Sequence, residues 1–541
     1  MRLTALQFAY HRSTVLLLLI IVTVLPGSPS RIEPSDKFKN SEAFFNKPQV
    51  ATLKIDITGT NLAALRQDNR RYVRGTISEN GATYEDVAIH LKGAAGSFRQ
   101  IDDFPALTLN FDKFNERQKF HGMDKIHLNN SVQDPTFMTE IICGELFRAA
   151  GVPATRGTHA RVLLNGRDLG LYVLKEGFDK EFLHEFFPNP RGNLYDGGFL
   201  RDITDPLQRT SGKDVKDYSD LKALVAAAQE VDPVKRMERL DKVLDLDRFL
   251  SFIAMELMTY HWDGYALKRN NYRVFHDLST GKMVFFPHGM DQMFSNPNEP
   301  FMHQMDGLVA NSIVTTEEGR RRYRERVATL FETTFKVDVL TNRINELQQH
   351  IRPVLAAINP ERARNHDGAV ENLRNQIIAR ARYLDRTLRL PVPVPLKFGS
   401  LGTVQISDWR VQNTRGIAQV DKVIEGGKPL LHIDTVADTN CIASWRSHVL
   451  LTPGEYHLEA RVRTAGVMAI KDKKGEGAGI RISQFSRPRT NSAAGSTDWT
   501  KLDFDFPVAP GSTGDVDLLC ELRASKGEAW FDLSSLKLTK K

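Results

Sequence analysis

A proline-rich segment at residues 391–395, Pro-Val-Pro-Val-Pro, separates two regions with different sequence patterns. Alternating prolines form a stiff, extended spacer and cannot continue a helix. We therefore predict a linker over 391–396, with one domain before it at 51–390 and another after it at 397–541. The full length of 541 residues would by itself suggest about three domains.

The region before the linker changes its pattern at about residue 215. Its first part, 51–115, predicts short strands rich in β-branched and aromatic residues. A helix is expected after Asp134, and Asn165-Gly166 is typical of a hairpin turn. The later part is mainly helical, with one hairpin over 271–288. This order predicts an α+β fold with a strand-rich half followed by a helix-rich half.

The region after the linker alternates apolar and polar residues and predicts an all-β sandwich. It contains four of the five tryptophans: Trp409, Trp445, Trp499 and Trp530. We expect at least three of them in the core, because tryptophan buries a large apolar area, although an exposed one could stack on sugar rings. Cys441 and Cys520 could form a disulfide or remain as buried thiols, and Cys143 is expected in the core of the first region.

The first 30 residues have the pattern of a secretory signal peptide. A basic start precedes the apolar run Val15–Leu25, and small residues follow it. The run is shorter than the roughly 20 residues that span a bilayer, although an uncleaved anchor is the alternative. Residues 31–50 are expected to be a flexible tail, and no later segment is expected to cross a membrane. These features predict an exported protein: periplasmic, at the cell surface or secreted.

The charge is not typical of a nucleic-acid-binding protein. Lys and Arg number 73 against 66 Asp and Glu, and the net charge of +7 is spread thinly along the chain. The three cysteines form no CxxC pair, so no zinc ribbon is indicated.

Three oxygen-bearing side chains are expected to converge around the hairpin of the helix-rich half. A turn centred between residues 279 and 280 pairs positions whose numbers sum to about 559, which sets Asn271 opposite His288. Asp291 then lies just beyond the second strand, and Asp263 reaches the same end. Carboxylate and amide oxygens suit Mg²⁺. The alternative is a capped helix beside a solvated hairpin end.

Two further segments could contact a nucleotide. Residues 92–97, Lys-Gly-Ala-Ala-Gly-Ser, hold two glycines that would let backbone amides approach a phosphate, although a plain hairpin turn is the alternative. Residues 170–177 form a strand that ends in a polar hinge before a helix, as at the adenine site of kinases, or else an amphipathic strand. The residues expected at a nucleotide are Lys92, Gly93, Gly96, Ser97 and Glu176.

Five stretches in this order resemble the CotH kinase family, named after spore-coat protein H, over about residues 50–385. They are AIHLKGAAGSF, FHGMDKIHLNNSVQDPTFM, CGELFRAAGVPATR, ARVLLNGRDLGLYVLKEGFDKEFL and the segment 260–294. The resemblance implies an atypical protein-kinase-like fold of two lobes that transfers the ATP γ-phosphate to Ser or Thr of a protein. The C-terminal region similarly resembles a carbohydrate-binding module.

The same resemblance implies roles for individual residues. Asp263 would be the catalytic aspartate, and Asn271 (or Asn270) and Asp291 would hold Mg²⁺. Residues 92–97 would lie over ATP. The glutamate that pairs with a lysine would be one of two on the helix after the first strands, Glu140 or Glu145.

Two departures from the family pattern bear on activity. The strand at 104–110 carries no lysine where the family has several, so the cation for the phosphates would come from Lys92, Arg99 or Lys113, or be absent. Gly289 stands where the family often has an acidic residue. The alternative function is therefore a non-catalytic surface or matrix protein that binds cell-surface polysaccharide through its C-terminal sandwich.

Overall fold

The computed structural model describes residues 36–541 except 48, 213–217, 303, 393, 437–439, 484–487 and 510–511. The predicted signal peptide lies outside the described residues. Among the helices that are described, none combines the length and the apolar character that crossing a bilayer requires.

Seven strands of the first region close into a barrel in the order β1-β2-β3-β4-β5-β7-β6. They are β1 (Ala51–Asp56), β2 (Val73–Glu79), β3 (Ala82–Lys92), β4 (Ala106–Asn110), β5 (Lys125–Asn129), β6 (Gly157–Leu164) and β7 (Arg167–Glu176). Neighbours are antiparallel except β1 and β6, whose parallel pairing closes the barrel. The β6–β7 turn has positive φ at Asn165 and Gly166, +48° and +77°, as the Asn-Gly pair predicts.

Four helices accompany the barrel strands: α1 (Asp36–Phe45), α2 (Gly59–Gln67), α3 (Thr139–Ala149) and α4 (Lys180–Phe186). The expectation of a flexible tail over 31–50 is wrong for α1. Phe44 is buried in the barrel core, with its ring stacked 4.4 Å from that of His121. Burial of this apolar ring favours an ordered position for α1.

Helix α3 begins later than the sequence indicates. Asp134 does accept hydrogen bonds from the backbone N–H of Thr136 and Thr139, at 2.9 and 3.0 Å. The residues between them form a turn, so the regular helix starts only at Thr139.

The second half of the first region is mainly helical, as predicted. Its helices are α5 (Ser219–Ala228), α6 (Pro233–Val243), α7 (Leu246–Met258), α8 (Tyr265–Lys268), α9 (Leu308–Val314), α10 (Glu317–Thr333), α11 (Val337–Ile358) and α12 (Pro360–Leu388). A sheet of order β11-β10-β8-β9 packs beside them, and most residues of α7 are buried. Its strands are β8 (Leu194–Asp196), β9 (Gln208–Ser211), β10 (Tyr272–Asp277) and β11 (Lys282–Pro287).

The predicted hairpin register is confirmed. Tyr272 pairs with Pro287, so partner numbers sum to 559, and His288 N–H donates to the carbonyl of Asn271 at 3.0 Å.

The region after the linker is β-rich, as predicted, and its ten strands enclose one apolar core. They are β12 (Thr403–Gln405), β13 (Arg410–Arg415), β14 (Ala418–Glu425), β15 (Lys428–Thr435), β16 (Cys441–Leu450), β17 (Gly454–Ala469), β18 (Gly477–Ile482), β19 (Gly495–Val508), β20 (Asp515–Asp532) and β21 (Lys537–Lys540). The first half of β20 pairs with β16 and β18, and the second half pairs with β15 and β17. This long strand therefore joins two layers of strands.

Two expectations for this region need correction or completion. Only Trp409 and Trp445 are buried, whereas Trp499 and Trp530 are partly exposed, so the expectation of three core tryptophans is wrong. Cys441 and Cys520 are both buried free thiols. Since β16 pairs Cys520 with Trp445, the two cysteines lie four positions apart, or about 13 Å at the rise of a strand, too far for a disulfide.

Candidate active site

Both faces of the strand β7 are buried, one in the barrel core and the other against the helices. A charged side chain, Lys175, lies on the face that meets the helices. Tyr172 and Leu174 point into the barrel core, while Leu171 and Val173 pack in the core shared with the helices. Lys175 shares the face of Val173 and lies opposite His127 of β5. The amphipathic alternative for 170–177 is therefore wrong, because both faces of the strand are covered.

Lys175 forms a buried ion pair with Glu140, which lies in the first turn of α3. Glu140 also accepts a hydrogen bond from the side-chain N–H of Asn129, whose carbonyl oxygen accepts one from the ammonium of Lys92. Lys92 ends β3 and Asn129 ends β5, so four elements contribute to one polar chain. We call Lys92, Asn129, Glu140 and Lys175 the lysine cluster.

The charges in the lysine cluster shift one another's protonation. Burial alone would raise the pKa of Glu140, but Lys175 and Lys92 hold it below its ordinary value. Burial and the like charge of Lys175 lower the pKa of Lys92 to about 8, with Glu140 and Asp291 opposing the shift. Lys92 and Asp291 are thus close enough to interact electrostatically.

The carboxylate of Asp263 is held by two side-chain amides. Asn270 donates to Oδ1 at 2.9 Å and Asn271 donates to Oδ2 at 2.8 Å. Asp263 lies between α7 and α8, and the asparagines follow α8, where Asn271 has a left-handed φ of +48°. Asparagine tolerates this conformation better than most residues. The predicted convergence of Asp263 and Asn271 is therefore present.

Asp291 contacts α3 through its backbone. Its backbone carbonyl accepts from Thr139 Oγ1 at 3.2 Å. Two residues earlier, Gly289 packs against the side chain of Asn271, and its carbonyl lies 3.3 Å from His261 Nε2. Burial, followed by the charges of Glu140 and Asp134, raises the pKa of the Asp291 carboxyl to about 6.

A buried glutamate supports the loop that carries Asp263. Glu256 accepts from the backbone N–H groups of Tyr265 and Ala266, both at 2.8 Å, and lies 3.5 Å from His261 Nδ1. These contacts fix the start of α8 relative to the end of α7. The position of Asp263 is therefore set by a rigid frame.

The glycine-containing loop is fixed by bonds within it and by side chains from outside it that donate to its carbonyls, among them Asn130 to Ser97 at 3.1 Å. The N–H groups of Ser97 and Phe98 both donate to the carbonyl of Ala94, and Ala94 N–H donates to Ser97 Oγ at 3.2 Å. Gly93 and Gly96 have positive φ, +100° and +84°. These bonds occupy the Ser97 hydroxyl and the backbone N–H groups of Ala94 and Ser97. Lys92 is the residue of this loop that lies in electrostatic reach of Asp291.

Glu176 takes part in a different buried network. Its carboxylate accepts from Arg156 Nε at 3.1 Å and Nη2 at 2.5 Å, and its backbone N–H donates to the Arg156 carbonyl at 3.0 Å. The side chain and the backbone N–H of Glu176 are therefore both occupied, so the backbone carbonyl is the group of this residue left for the predicted contact with a nucleotide base. The side chain instead holds β7 to the segment that precedes β6.

The structure also separates the alternatives left open by the sequence. Glu145 binds Arg343 at 2.8 Å, so Glu140 is the glutamate paired with a lysine. Arg99 donates to carbonyls of its own loop, and Lys113 lies over the ring of Tyr72. Lys175 was missed, although a lysine at the end of an otherwise apolar strand was a visible signal.

The donor set is suitable for the cofactors that the resemblance implies. Asp263, Asn271 and Asp291 supply carboxylate and amide oxygens, the ligands that Mg²⁺ takes together with phosphates and waters. Lys92 and Lys175 supply cations. The residue types therefore fit a divalent cation with a nucleoside triphosphate.

The sequence model of the family described as CotH kinase protein matches residues 89–384, more than half of the chain. The chain belongs to the CotH kinase protein family. The match includes the lysine cluster, Asp263, Asn271 and Asp291, and it ends near the last residues of α12.

Two curated relatives illustrate how distant the known members are. Invasin CotH2 of Rhizopus delemar is 23% identical over 52% of this chain and 53% of its own length. Inner spore coat protein H of Bacillus subtilis is 20% identical over 50% of this chain and 77% of its own length. The chain thus spans about half the length of the invasin.

Solved structures match about a quarter of the chain at low similarity. One, described as "CBM4 structure and function", is 18% identical over 25% of this chain and 88% of its own, with a TM-score of 0.18. Another, a CBM22-1 xylan-binding domain from Paenibacillus barcinonensis Xyn10C, is 15% identical over 27% and 97%, with a TM-score of 0.19.

Proposed function

We propose that this CotH family member is an exported, Mg²⁺-dependent atypical kinase that transfers the ATP γ-phosphate to Ser or Thr of a surface or coat protein. The observation that carries the proposal is the buried Lys175–Glu140 pair beside Lys92 and Asp291. Asp263 and Asn271 lie at the open end of the β10–β11 hairpin, where the chain continues through Gly289 to Asp291. Phosphoryl transfer depends mainly on positioning and charge neutralisation, for which these groups are the required types.

In this proposal, Asn271 and Asp291 hold Mg²⁺, and the lysine cluster lies on the phosphate side. Bound Mg²⁺ and ATP would supply the phosphoryl group and neutralise the charge that develops on it. Asp291 binds a cation in its ionised form, which predominates above its pKa of about 6 in the free protein. The side-chain amine of Lys92 must be protonated to bind phosphate.

Asp263 is the residue that would orient the acceptor hydroxyl. Its two oxygens are each fixed by one amide N–H, and a carboxylate oxygen has a second lone pair for the hydroxyl proton. The carboxylate would accept that proton as the hydroxyl oxygen bonds to the γ-phosphorus of ATP and the bond from that phosphorus to the bridging oxygen breaks, releasing ADP. Asn270 and Asn271 prevent rotation of the carboxylate during this step.

The proposed exported location is supported from two sides. The first 30 residues have the pattern of a secretory signal. The relatives carry the names invasin and inner spore coat protein, which describe proteins of a surface or coat.

The nucleotide site is tested by thermal unfolding of the full chain with and without Mg·ATP. Wild type should melt at higher temperature with Mg·ATP, since a ligand stabilises the state that binds it. Asp291→Asn should abolish that rise, while Asp367→Asn, which alters a surface carboxylate bound to Arg352, should keep it. No rise in wild type at millimolar Mg·ATP would contradict nucleotide binding.

Transfer itself is tested with γ-labelled ATP and a mixture of surface proteins. Label should enter Ser or Thr with wild type and not with Asp263→Asn. A wild type that binds Mg·ATP but transfers no label would favour a non-catalytic kinase-like domain.

A second candidate function, polysaccharide binding, rests on the outer face of the C-terminal region. Trp499 and Trp530 are both partly exposed, with the guanidinium of Arg463 5.4 Å and 4.5 Å from their ring centres. Arg463 is paired with Glu425 at 2.7 Å, and the ring of Trp530 is stacked on His432, so the exposed part of Trp499 is the group that would stack on a sugar ring. Retarded migration in gels containing a polysaccharide, lost in Trp499→Ala, would support this function; equal migration with and without the polysaccharide would exclude it.

A further inference from the structure

The side chain of Asn129 occupies a position that few other residue types could fill. A carboxylate only accepts hydrogen bonds and an ammonium only donates them, so the amide must turn its oxygen to Lys92 and its nitrogen to Glu140. An aspartate there would face Glu140 with like charge, and a leucine would make neither bond. The orientation of the amide is thus fixed by its two partners.

The two lysines of the cluster differ in how their charges are balanced. Lys175 contacts the carboxylate of Glu140 directly, so its charge is neutralised by an anion. The hydrogen-bond partner of Lys92 is the neutral oxygen of Asn129. Lys92 also lies in electrostatic reach of the carboxylates of Glu140 and Asp291, but the group to which it is hydrogen-bonded is neutral.

We infer that Asn129 is a positioning residue of the proposed nucleotide site, holding Lys92 in place through a neutral oxygen so that the Lys92 ammonium contacts the phosphates. This inference rests on the proposed function, and it gives Lys175 a different task. The Lys175–Glu140 pair fixes the anion to which Asn129 is bound, and thereby fixes Lys92. The strand register supports this division, because β5 lies between β4 and β7 and ends at Asn129, beside Val173 of β7.

The test measures the dissociation constant of Mg·ATP by calorimetry on the full chain. Asn129→Asp should weaken binding about tenfold or more, because hydrogen bonds with charged groups contribute that much. The matched control is Asn345→Asp, since the amide oxygen of Asn345 also accepts from a cation, Arg374, at 2.7 Å on an exposed helix face. This control should bind as wild type does. Asn129→Leu, which adds no charge, should also weaken binding and serves if the aspartate variant does not fold.

A double variant separates positioning from general damage to the site. If Asn129 acts through Lys92, Lys92→Met combined with Asn129→Asp should bind Mg·ATP no more weakly than Lys92→Met alone. Fully additive losses would overturn the inference, as would wild-type affinity in both Asn129→Asp and Asn129→Leu.

Chemical labelling identifies which lysine contacts the phosphates. Mg·ATP should slow the acetylation of Lys92 by acetic anhydride in wild type, as measured by peptide mass spectrometry. Unchanged labelling of Lys92 in protein that does bind Mg·ATP would overturn the inference and leave the proposed function standing. Failure of wild type to bind Mg·ATP at all would overturn both.

Discussion

Gly289 lies so close to Asn271 that a Cβ atom at position 289 would come within 2.6 Å of the Asn271 side-chain oxygen. The glycine also has a φ of +61°, in the left-handed region. The family often has an acidic residue here, and in this chain the side-chain amide of Asn271 fills the space that such a residue would need. The departure at Gly289 is thus linked to the placement of Asn271.

Replacing Gly289 by alanine should therefore lower the free energy of unfolding by more than backbone strain alone would. Gly281 in the hairpin turn has a similar φ of +71°, and no atom lies within 4 Å of the position that a Cβ would take there. Gly281→Ala therefore measures the backbone strain alone, which should cost about 1–2 kcal/mol of unfolding free energy. Gly289→Ala should lose about 3 kcal/mol or more of unfolding free energy in urea, because the amide of Asn271 must move. Equal losses in the two variants would show that position 289 has room.

Breaking the ion pair of the lysine cluster should be strongly destabilising. Glu140→Gln leaves Lys175 buried without an anion, which is expected to cost about 3–5 kcal/mol. Glu145→Gln is the matched control on the same helix, since its partner Arg343 is partly exposed and the loss should stay within about 1 kcal/mol. Urea unfolding of the two variants measures the difference, and similar losses would argue against a buried pair.

The C-terminal region should show a pH-dependent contribution from His448. Hydrogen bonds to Asp515 and Asp517 raise the pKa of His448 to about 9. A folded-state pKa above the unfolded value stabilises the protein fully below about pH 6.5, and the effect is lost as the pH rises through about 9. His448→Gln should therefore melt below wild type at about pH 6 and together with it near pH 10. The difference should be under about 1 kcal/mol, because the histidine is half exposed, and a difference that grows with pH would contradict the assignment.

The fragment 397–541 should fold without the rest of the chain. Its ten strands share one apolar core, which includes Trp409, Trp445 and both cysteines. Circular dichroism should report strand structure and a cooperative thermal transition. A shorter fragment, 441–541, lacks β12 to β15 and should melt without cooperativity. A non-cooperative melt of the longer fragment would refute the predicted boundary.

Local patterns in the sequence predicted the parts of the site that depend on short-range geometry. The register of the β10–β11 hairpin and the convergence of Asn271 with Asp263 follow from the turn position and from a spacing of eight residues. The α+β class and the β-rich C-terminal region were likewise visible in residue periodicity.

Contacts between distant segments were not predictable in the same way. The pair of Lys175 with Glu140 depends on β7 lying against α3, and Asn129 connects Lys92 to that pair only because β5 separates β4 from β7. The burial of Phe44 depends on a barrel whose closure joins β1 to β6. None of these neighbours follows from the periodicity of a single segment.

The parallel pairing of β1 with β6 also determines how late in synthesis the barrel can close. Ala51 cannot meet Ala160 until the ribosome has released the whole of β6, so β1 keeps one unpaired edge through that interval. An unpaired edge is a template for association with other chains, so slow translation or crowding of nascent chains would promote aggregation at β1 in particular.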